Sequence, residues 1–127
     1  MLDHIGLTVR DLAASRAFYD RALAAIGLKV LHTVGAELTG GSEVLGYGDQ
    51  RPFFWINGGA EPTGRLHVAF SVERRDLVDA FHAAGLAAGG RDNGGPGIRA
   101  HYHPSYYGAF VLDPDGHNIE AVCHAPG

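Results

Sequence analysis

The stretch 113-DPDGHNIEAV-122 predicts a tight turn that runs directly into a short strand. Asp at its first position, Pro at the second and Gly at the fourth are residues that a type I turn favours. Because successive side chains of a strand point to opposite faces, Glu120 shares a face with Asn118 and Val122. A single carboxylate on a small apolar strand is either exposed to solvent or paired, and the rest of the chain offers candidate partners.

The composition is that of one ordinary domain without a strong charge. A length of 127 residues supports a single core, and a net charge of -4 attracts neither nucleic acid nor an anionic membrane. No apolar run approaches the ~18 residues of a membrane span, and no signal-peptide pattern is present, so we expect a cytoplasmic protein. Cys123 is the only cysteine, which rules out an intramolecular disulfide. Eight histidines are many for this length, and histidine serves metal binding and proton transfer.

One pattern of a strand, a helix and further strands occurs twice along the chain. Residues 2–9 and 65–72 both alternate between apolar and small or polar side chains. Each of these strands runs into an amphipathic helix, 12–26 and 74–85, that a Gly-Leu pair closes. The segment 57–64 is a connector rich in Gly, Asn and Pro. A long repeat that occurs twice predicts one domain with pseudo-twofold symmetry. We place this domain at 1–127 and its modules at 1–60 and 64–124.

Further strands are predicted after each helix. In the first half they are 29–34 and the aromatic strand 53–56, with the glycine-rich stretch 35–49 forming strand edges and loops between them. In the second half they are 98–103 and 108–113, which lead to the turn and the final strand.

Superposing the two halves places His4 over His67, each on the face opposite the apolar side chains of its strand. That face otherwise carries residues too small to fill a core, namely Gly6, Thr8, Ala69 and Ser71. It is therefore expected to line a cavity, where two such sheets would bring both imidazoles and Glu120 into one cleft. Two histidines and one carboxylate are a metal-ligand set that leaves coordination positions open. In the same superposition Trp55 takes the place of Glu120 in the first half.

Several motifs together resemble the vicinal oxygen chelate superfamily of glyoxalases, extradiol dioxygenases, fosfomycin-resistance transferases and bleomycin-binding proteins. They are 4-HIGLTV-9, the following helix with Phe18 and Tyr19, 67-HVAF-70 and 113-DPDGHNIE-120. The resemblance covers nearly the whole chain and is weakest between Thr33 and Gly64. It implies an α+β fold of two paired βαβββ modules that form a cupped, partly open mixed β-barrel with flanking helices, in a homodimer.

The resemblance also implies that His4, His67 and Glu120 bind a divalent metal ion, either Zn, Ni, Mn or Fe. Glyoxalase I of the four-ligand type has a second carboxylate where this chain has Trp55. An extradiol dioxygenase needs only three ligands, together with a nearby His and Tyr. In fosfomycin transferases a serine-containing loop stands where this chain has 104-PSYYG-108.

We therefore predict a metal-dependent enzyme that acts on a small molecule chelated through vicinal oxygens, either a glyoxalase-like lyase or isomerase or a dioxygenase. Two alternatives are a non-catalytic antibiotic-binding resistance protein and a fosfomycin-type thiol transferase. The expected partners are a small-molecule substrate and a second copy of the chain, with neither nucleic acid nor a membrane.

Further site residues are predicted around the ligand set. Glu120 is expected to shuttle a proton as well as bind metal. His101 and His103 share a strand face and act either as a general base or as hydrogen-bonding loop residues. Arg99 either binds an anionic substrate group or is a solvated charge. The aromatic residues form either a wall for the substrate or ordinary core, and they are Phe54, Trp55, Tyr106 and Tyr107.

Overall fold

The computed structural model describes residues 1–39 and 41–127, and it contains two separate β-sheets with helices beside them. The elements of the N-terminal half are β1 Ile5–Thr8, α1 Leu12–Ala24, β2 Lys29–Val34, α2 Ala36–Thr39, β3 Val44–Gly48 and β4 Pro52–Asn57. Those of the C-terminal half are β5 His67–Ser71, α3 Arg75–Ala87, β6 Arg91–Asp92, β7 Gly97–Ile98, β8 Tyr107–Leu112 and β9 Asn118–Cys123. None of the described helices is long and apolar enough to cross a membrane.

The two sheets have the same plan. The N-terminal sheet has the order β1-β4-β3-β2, and the C-terminal sheet has the order β5-β9-β8-β6 with β7 also paired to β8. In each sheet the first strand lies parallel to the last strand of its half, and the remaining pairs are antiparallel. The predicted α+β fold of two paired modules forming a partly open mixed β-structure is confirmed, and the two sheets do not close into a barrel.

The helices form where predicted, although the second one ends later. Asp11 caps α1 by accepting a hydrogen bond from the Ala14 amide at 3.2 Å. Helix α3 was expected to end at Gly85 but continues to Ala87. Gly85 is buried against β8, where a Cβ atom would lie 3.3 Å from both methyl groups of Val111. This glycine therefore permits close packing of helix on sheet and does not end the helix.

Two predicted strand regions differ from the structure. Of the stretch 98–103 only Ile98 lies in a strand, β7, because backbone hydrogen bonds from His103 to Arg99 and from Tyr106 to His103 close turns instead. The glycine-rich stretch 35–49 contains the short helix α2 before β3. Gly40, which belongs to that stretch, lies outside the described residues.

One hydrophobic core joins the two halves. The ring of Phe54 on β4 contacts both Tyr19 on α1 and Phe70 on β5, with centroid distances of 5.1 and 5.2 Å. Tyr19 is fully buried, and its hydroxyl donates to Asp113 at 2.6 Å. Asp113 is the first residue of the turn before β9, so this hydrogen bond ties helix α1 to the strand that carries Glu120.

Replacing Tyr19 by Phe removes a donor from a buried carboxylate, and we expect the free energy of unfolding to fall by about 1–3 kcal/mol. Tyr47→Phe is the matched control, because Tyr47 is equally buried but donates to Asp20, whose side chain is 43% exposed. Tyr47→Phe should lower the free energy of unfolding by less than Tyr19→Phe does. Chemical denaturation of both variants measures the difference, and equal losses would contradict this role of Asp113.

Alkaline pH should also weaken the fold through Tyr19. Burial and the neighbouring Asp113 raise the pKa of Tyr19 well above its usual value. The unfolded chain ionises this phenol near a pKa of about 10, whereas the folded protein keeps it protonated. Its contribution to stability is therefore complete below about pH 10 and is lost as the pH rises further. The decline of unfolding free energy above about pH 10 should be shallower in Tyr19→Phe than in the wild type, and identical slopes would argue against it.

Candidate functional site

The open face of the C-terminal sheet holds a buried carboxylate beside an exposed imidazole. In the parallel ladder between β5 and β9, His67 lies opposite Asn118 and Ala69 lies opposite Glu120. His67 and Glu120 therefore point to the same side of the sheet, away from α3. His67 Nε2 and Glu120 Oε1 are 2.7 Å apart, with side chains that are 56% and 1% exposed. The pair is thus half open to solvent and anchored on a buried acid.

Tyr106 binds the second oxygen of the same carboxylate. Its hydroxyl donates a hydrogen bond to Glu120 Oε2. The space for this contact depends on Gly108, where a Cβ atom would lie 3.1 Å from the Tyr106 ring and 3.4 Å from Glu120 Oε2. Burial and the bond to Glu120 raise the pKa of Tyr106 to about 12. Both oxygens of Glu120 therefore have a fixed partner.

The pair has the chemistry of two metal ligands or of a proton relay. An imidazole nitrogen and a carboxylate oxygen are ligands that a divalent transition metal accepts, and a third protein ligand would complete an open site. A carboxylate bonded to imidazole and phenol can also accept and return a proton. The residues present fit a metal ion as two of its ligands.

Phe110 and Arg99 border the pair. Phe110 lies opposite Glu120 in the β8–β9 ladder, and its ring is 6.1 Å from the imidazole of His67. The guanidinium of Arg99 lies 5.4 Å from the centre of the Phe110 ring and donates to the carbonyls of Gly95 and Gly97. Arg99 is therefore held in place by its own loop and is not a freely solvated charge.

Comparison with known proteins identifies the family. The model of the Glyoxalase/Bleomycin resistance protein/Dioxygenase superfamily matches residues 1–121. The chain belongs to this superfamily. Among solved structures, a glyoxalase/bleomycin resistance protein from Albidiferax ferrireducens T118 is 28% identical, and the match covers 95% of this chain and 96% of that chain with a TM-score of 0.74.

Two other solved structures share the superfamily fold at lower identity. The fosfomycin resistance protein FosX from Listeria monocytogenes, complexed with Mn(II) and sulfate ion, is 21% identical over 97% of this chain and 91% of that chain, with a TM-score of 0.68. A V278E mutant of glyoxalase I from Zea mays is 21% identical over 99% of this chain and 45% of that chain, with a TM-score of 0.71. A search of curated proteins found no match.

The superfamily resemblance implies three metal ligands. Within one chain the structure brings two of them together, His67 and Glu120. In the part of the chain that the structure describes, no three His, Cys, Asp or Glu side chains are grouped so that they could hold a metal ion. His4 lies just before β1, is 61% exposed, and its Nδ1 is 2.7 Å from Asp3 Oδ1. The three-ligand set stays a prediction, and within one chain His4 does not join His67 and Glu120. The reason is that β1 and β5 belong to different sheets, and the halves join through α1, α3 and the aromatic core.

The two loop histidines lie near Tyr106 but do not contact Glu120. His103 Nδ1 accepts a hydrogen bond from the Ser105 amide at 3.0 Å, which is the predicted loop-stabilising alternative. The ring of His101 contacts that of Tyr102, with centroids 4.2 Å apart and planes tilted by 48°. Both residues are exposed and occupy turns, so the expected shared strand face is not formed.

The predicted aromatic wall is divided among three places. Tyr107 follows Tyr106 in the chain, so it points to the opposite face and donates to Asp79 on α3 at 2.6 Å. Phe54 is fully buried in the core. Trp55 lies half-buried on the other face of the same strand, in the N-terminal sheet. The four aromatic residues therefore do not lie on one surface, Phe54 takes the predicted core position, and Tyr106 is the one of the four that contacts Glu120.

The role of Gly108 and the bond from Tyr106 to Glu120 are features that sequence reasoning missed. The signal was available in the alternation of β8, where Tyr106, Gly108 and Phe110 share one face. Pairing β8 and β9 as a hairpin across the turn at Asp113 places that face beside Glu120.

Replacing Glu120 by Gln should lower the pKa of Tyr106 from about 12 toward its usual value, because the phenol then donates to a neutral acceptor. Asp79→Asn is the matched control, since it removes the charged acceptor of Tyr107 and should leave Tyr106 unchanged. The ¹³C shifts of the tyrosine Cζ atoms, followed up to about pH 11, report each phenol separately. A Tyr106 signal that titrates alike in the wild type and both variants would refute the contact.

Proposed function

We propose that this superfamily member is a metal-dependent enzyme acting on a small substrate that chelates through neighbouring oxygens. The proposed ligands are His67 and Glu120 of one chain and His4 of a second copy in a homodimer. The observation that carries the proposal is the 2.7 Å contact between a half-exposed imidazole and a buried carboxylate on one open sheet face. Zn, Ni, Mn and Fe all accept such ligands.

A second copy is proposed as the source of His4 because the sheets have unpaired edges. Within the described residues, β1 pairs only with β4 and β5 pairs only with β9, so each leaves one edge free. His4 and His67 stand at the starts of these two edge strands, and both side chains are more than half exposed. A free edge is a surface on which another chain can pair. A twofold dimer that joins β1 of one copy to β5 of the other would bring His4 toward the partner's site.

The chain's own residues then have distinct tasks. A divalent metal bound here supplies a Lewis acid for the oxygens of the substrate. Tyr106 holds one oxygen of Glu120, which directs the other oxygen toward His67. Glu120 takes up and returns the substrate proton, and a positioned base of this kind contributes roughly 10²–10⁴-fold in rate. His101 and His103 are proposed as further bases, since they lie on the loop that carries Tyr106.

The reaction class stays within what this superfamily offers. A glyoxalase-like lyase or isomerase and a dioxygenase both use a metal beside vicinal oxygens, and the metal ion is one of Zn, Ni, Mn or Fe. The FosX neighbour is complexed with Mn(II), which supports a divalent metal ion in this chain as well. A fosfomycin-type thiol transferase stays among the candidates.

One observation favours a second function, a non-catalytic binding protein for a small molecule such as an antibiotic. Both oxygens of Glu120 are hydrogen-bonded within the chain, one to His67 and the other to Tyr106. In that case the contact between His67 and Glu120 is a structural hydrogen bond. The small molecule would then bind against Trp55 on the open face of the N-terminal sheet. The two functions differ in their need for metal.

Metal analysis distinguishes them. Protein purified without chelators should contain one divalent metal ion per chain, and His67→Ala should lower the metal affinity by at least about tenfold. His32→Ala is the matched control, because His32 is exposed on the N-terminal sheet and contacts Trp55 instead. Wild-type protein without stoichiometric metal would leave the binding protein as the function.

Mixing two variants that are each defective in metal binding tests whether His4 comes from the second copy. His4→Ala and His67→Ala should each lose bound metal as homodimers. If each site takes His4 and His67 from different copies, a mixed dimer has one intact site and one doubly defective site. Random exchange of subunits should then restore about a quarter of the wild-type metal content. No restoration after verified exchange would show that the two histidines do not serve one site in this way.

A further inference from the structure

Beside His67 lies a depression lined by two arginines. Its volume is about 550 Å³, within the range of roughly 300–1,000 Å³ typical of small-molecule sites. Its polar lining comes from both ends of the C-terminal half, and it consists of Arg65, His67, Arg91, Asn93 and Asn118. The remaining lining residues are two leucines and Gly116, so no carboxylate lines it.

The sheet register places these groups in one row. His67 on β5 lies opposite Asn118 on β9, Asn118 lies opposite Leu112 on β8, and Leu112 lies opposite Arg91 on β6. Directly opposed residues point to the same face, so the row runs across the open face from the imidazole to the guanidinium. Strands lie ~4.8 Å apart, which gives the row a length of roughly 14 Å between its end Cα atoms.

Arg65 completes the row from the other side. It lies two residues before His67, and its Nε would be 3.6 Å from a Cβ atom on Gly116. Arg65 thus lies beside the turn that precedes β9. Asn93 donates to the side-chain oxygen of Asn118 at 3.2 Å, which leaves the NH₂ group of Asn118 as a further donor.

Neither arginine is neutralised by the chain. Among the described residues no carboxylate lies within 4.0 Å of Arg65 or Arg91, although the protein carries 14 acidic side chains against 10 basic ones. Arg10, Arg16 and Arg74, by contrast, each pair with an acid. A guanidinium presents a planar fork of donors that matches the oxygens of a carboxylate or a phosphate.

We propose that this depression is an oxyanion subsite, in which Arg65 and Arg91 bind a carboxylate or phosphate group of the substrate. This inference rests on the proposed function, because the anionic group belongs to the molecule whose other end reaches His67 and Glu120. The substrate class is accordingly a small molecule with vicinal oxygens at one end and an oxyanion at the other.

Titration with inorganic phosphate and with acetate tests the subsite. The protein without added metal is titrated at constant ionic strength with chloride as the balancing anion, and arginine Nε–H and histidine ring NMR signals are followed. We expect saturable shifts of the Arg65, Arg91 and His67 signals. Arg65→Gln and Arg91→Gln should each weaken binding at least about fivefold. Tighter binding of phosphate points to a phosphorylated substrate, and tighter binding of acetate points to a carboxylate.

Arg74→Gln is the matched control, because it makes the same change in charge beyond the other end of β5. It should change the affinity less than about twofold, since exposed charges at a distance are screened by salt. Shifts that do not saturate, or equal weakening in all three variants, would overturn the subsite and indicate a general charge effect.

Metal content separates this inference from the function on which it rests. Arg65→Gln and Arg91→Gln should bind metal as the wild type does. Phosphate or acetate binding by a wild-type protein that contains no metal after purification without chelators, and takes up none when divalent metal is added, would refute the enzyme proposal and leave an anion site. Metal binding without anion binding would refute the subsite alone.

Discussion

The rest of the structure depends on the hydrogen bonds that the buried carboxylate of Asp113 accepts. It accepts hydrogen bonds from the Tyr19 hydroxyl and from the backbone amides of Asp115 and His117, at 2.6 to 2.9 Å. A buried acid is tolerated only when donors replace its water, and here the donors come from both halves of the chain. One bond holds α1, and the other two shape the turn before β9.

The same turn sets the distance between the two site residues. The ring of His117 accepts a hydrogen bond from the Leu66 amide at 2.9 Å, and the Asn118 amide donates to the Leu66 carbonyl at 2.8 Å. These bonds start the parallel pairing of β5 with β9, so His67 and Glu120 come together directly beyond them. Disrupting the turn at Asp113 would therefore shift the pairing of β5 with β9 and change the distance between His67 and Glu120, although Asp113 contacts neither residue.

Much of the architecture was readable from local pattern. The strand-and-helix repeat, the turn at Asp113 and the face of each strand on which His67 and Glu120 lie all follow from periodicity and turn chemistry, which act over a few residues. The errors arose where a longer contact decided the outcome. Gly85 was expected to end a helix, but its missing side chain serves packing against Val111. Tyr107 is among the residues predicted to form a substrate wall or core, but its hydroxyl donates to Asp79 on α3, 28 residues earlier in the chain.

The sequence by itself determined the family, the two mixed sheets and the alternation that puts Glu120 on an open face, because these depend on residue type and spacing. Only the tertiary structure decided which of the candidates meet. It joined Glu120 to His67 and Tyr106, separated His4 from them, and aligned Arg91 with His67 across four strands. The physical reason is that strand order and the packing of one sheet against another bring together residues distant in sequence, and no local pattern encodes that arrangement.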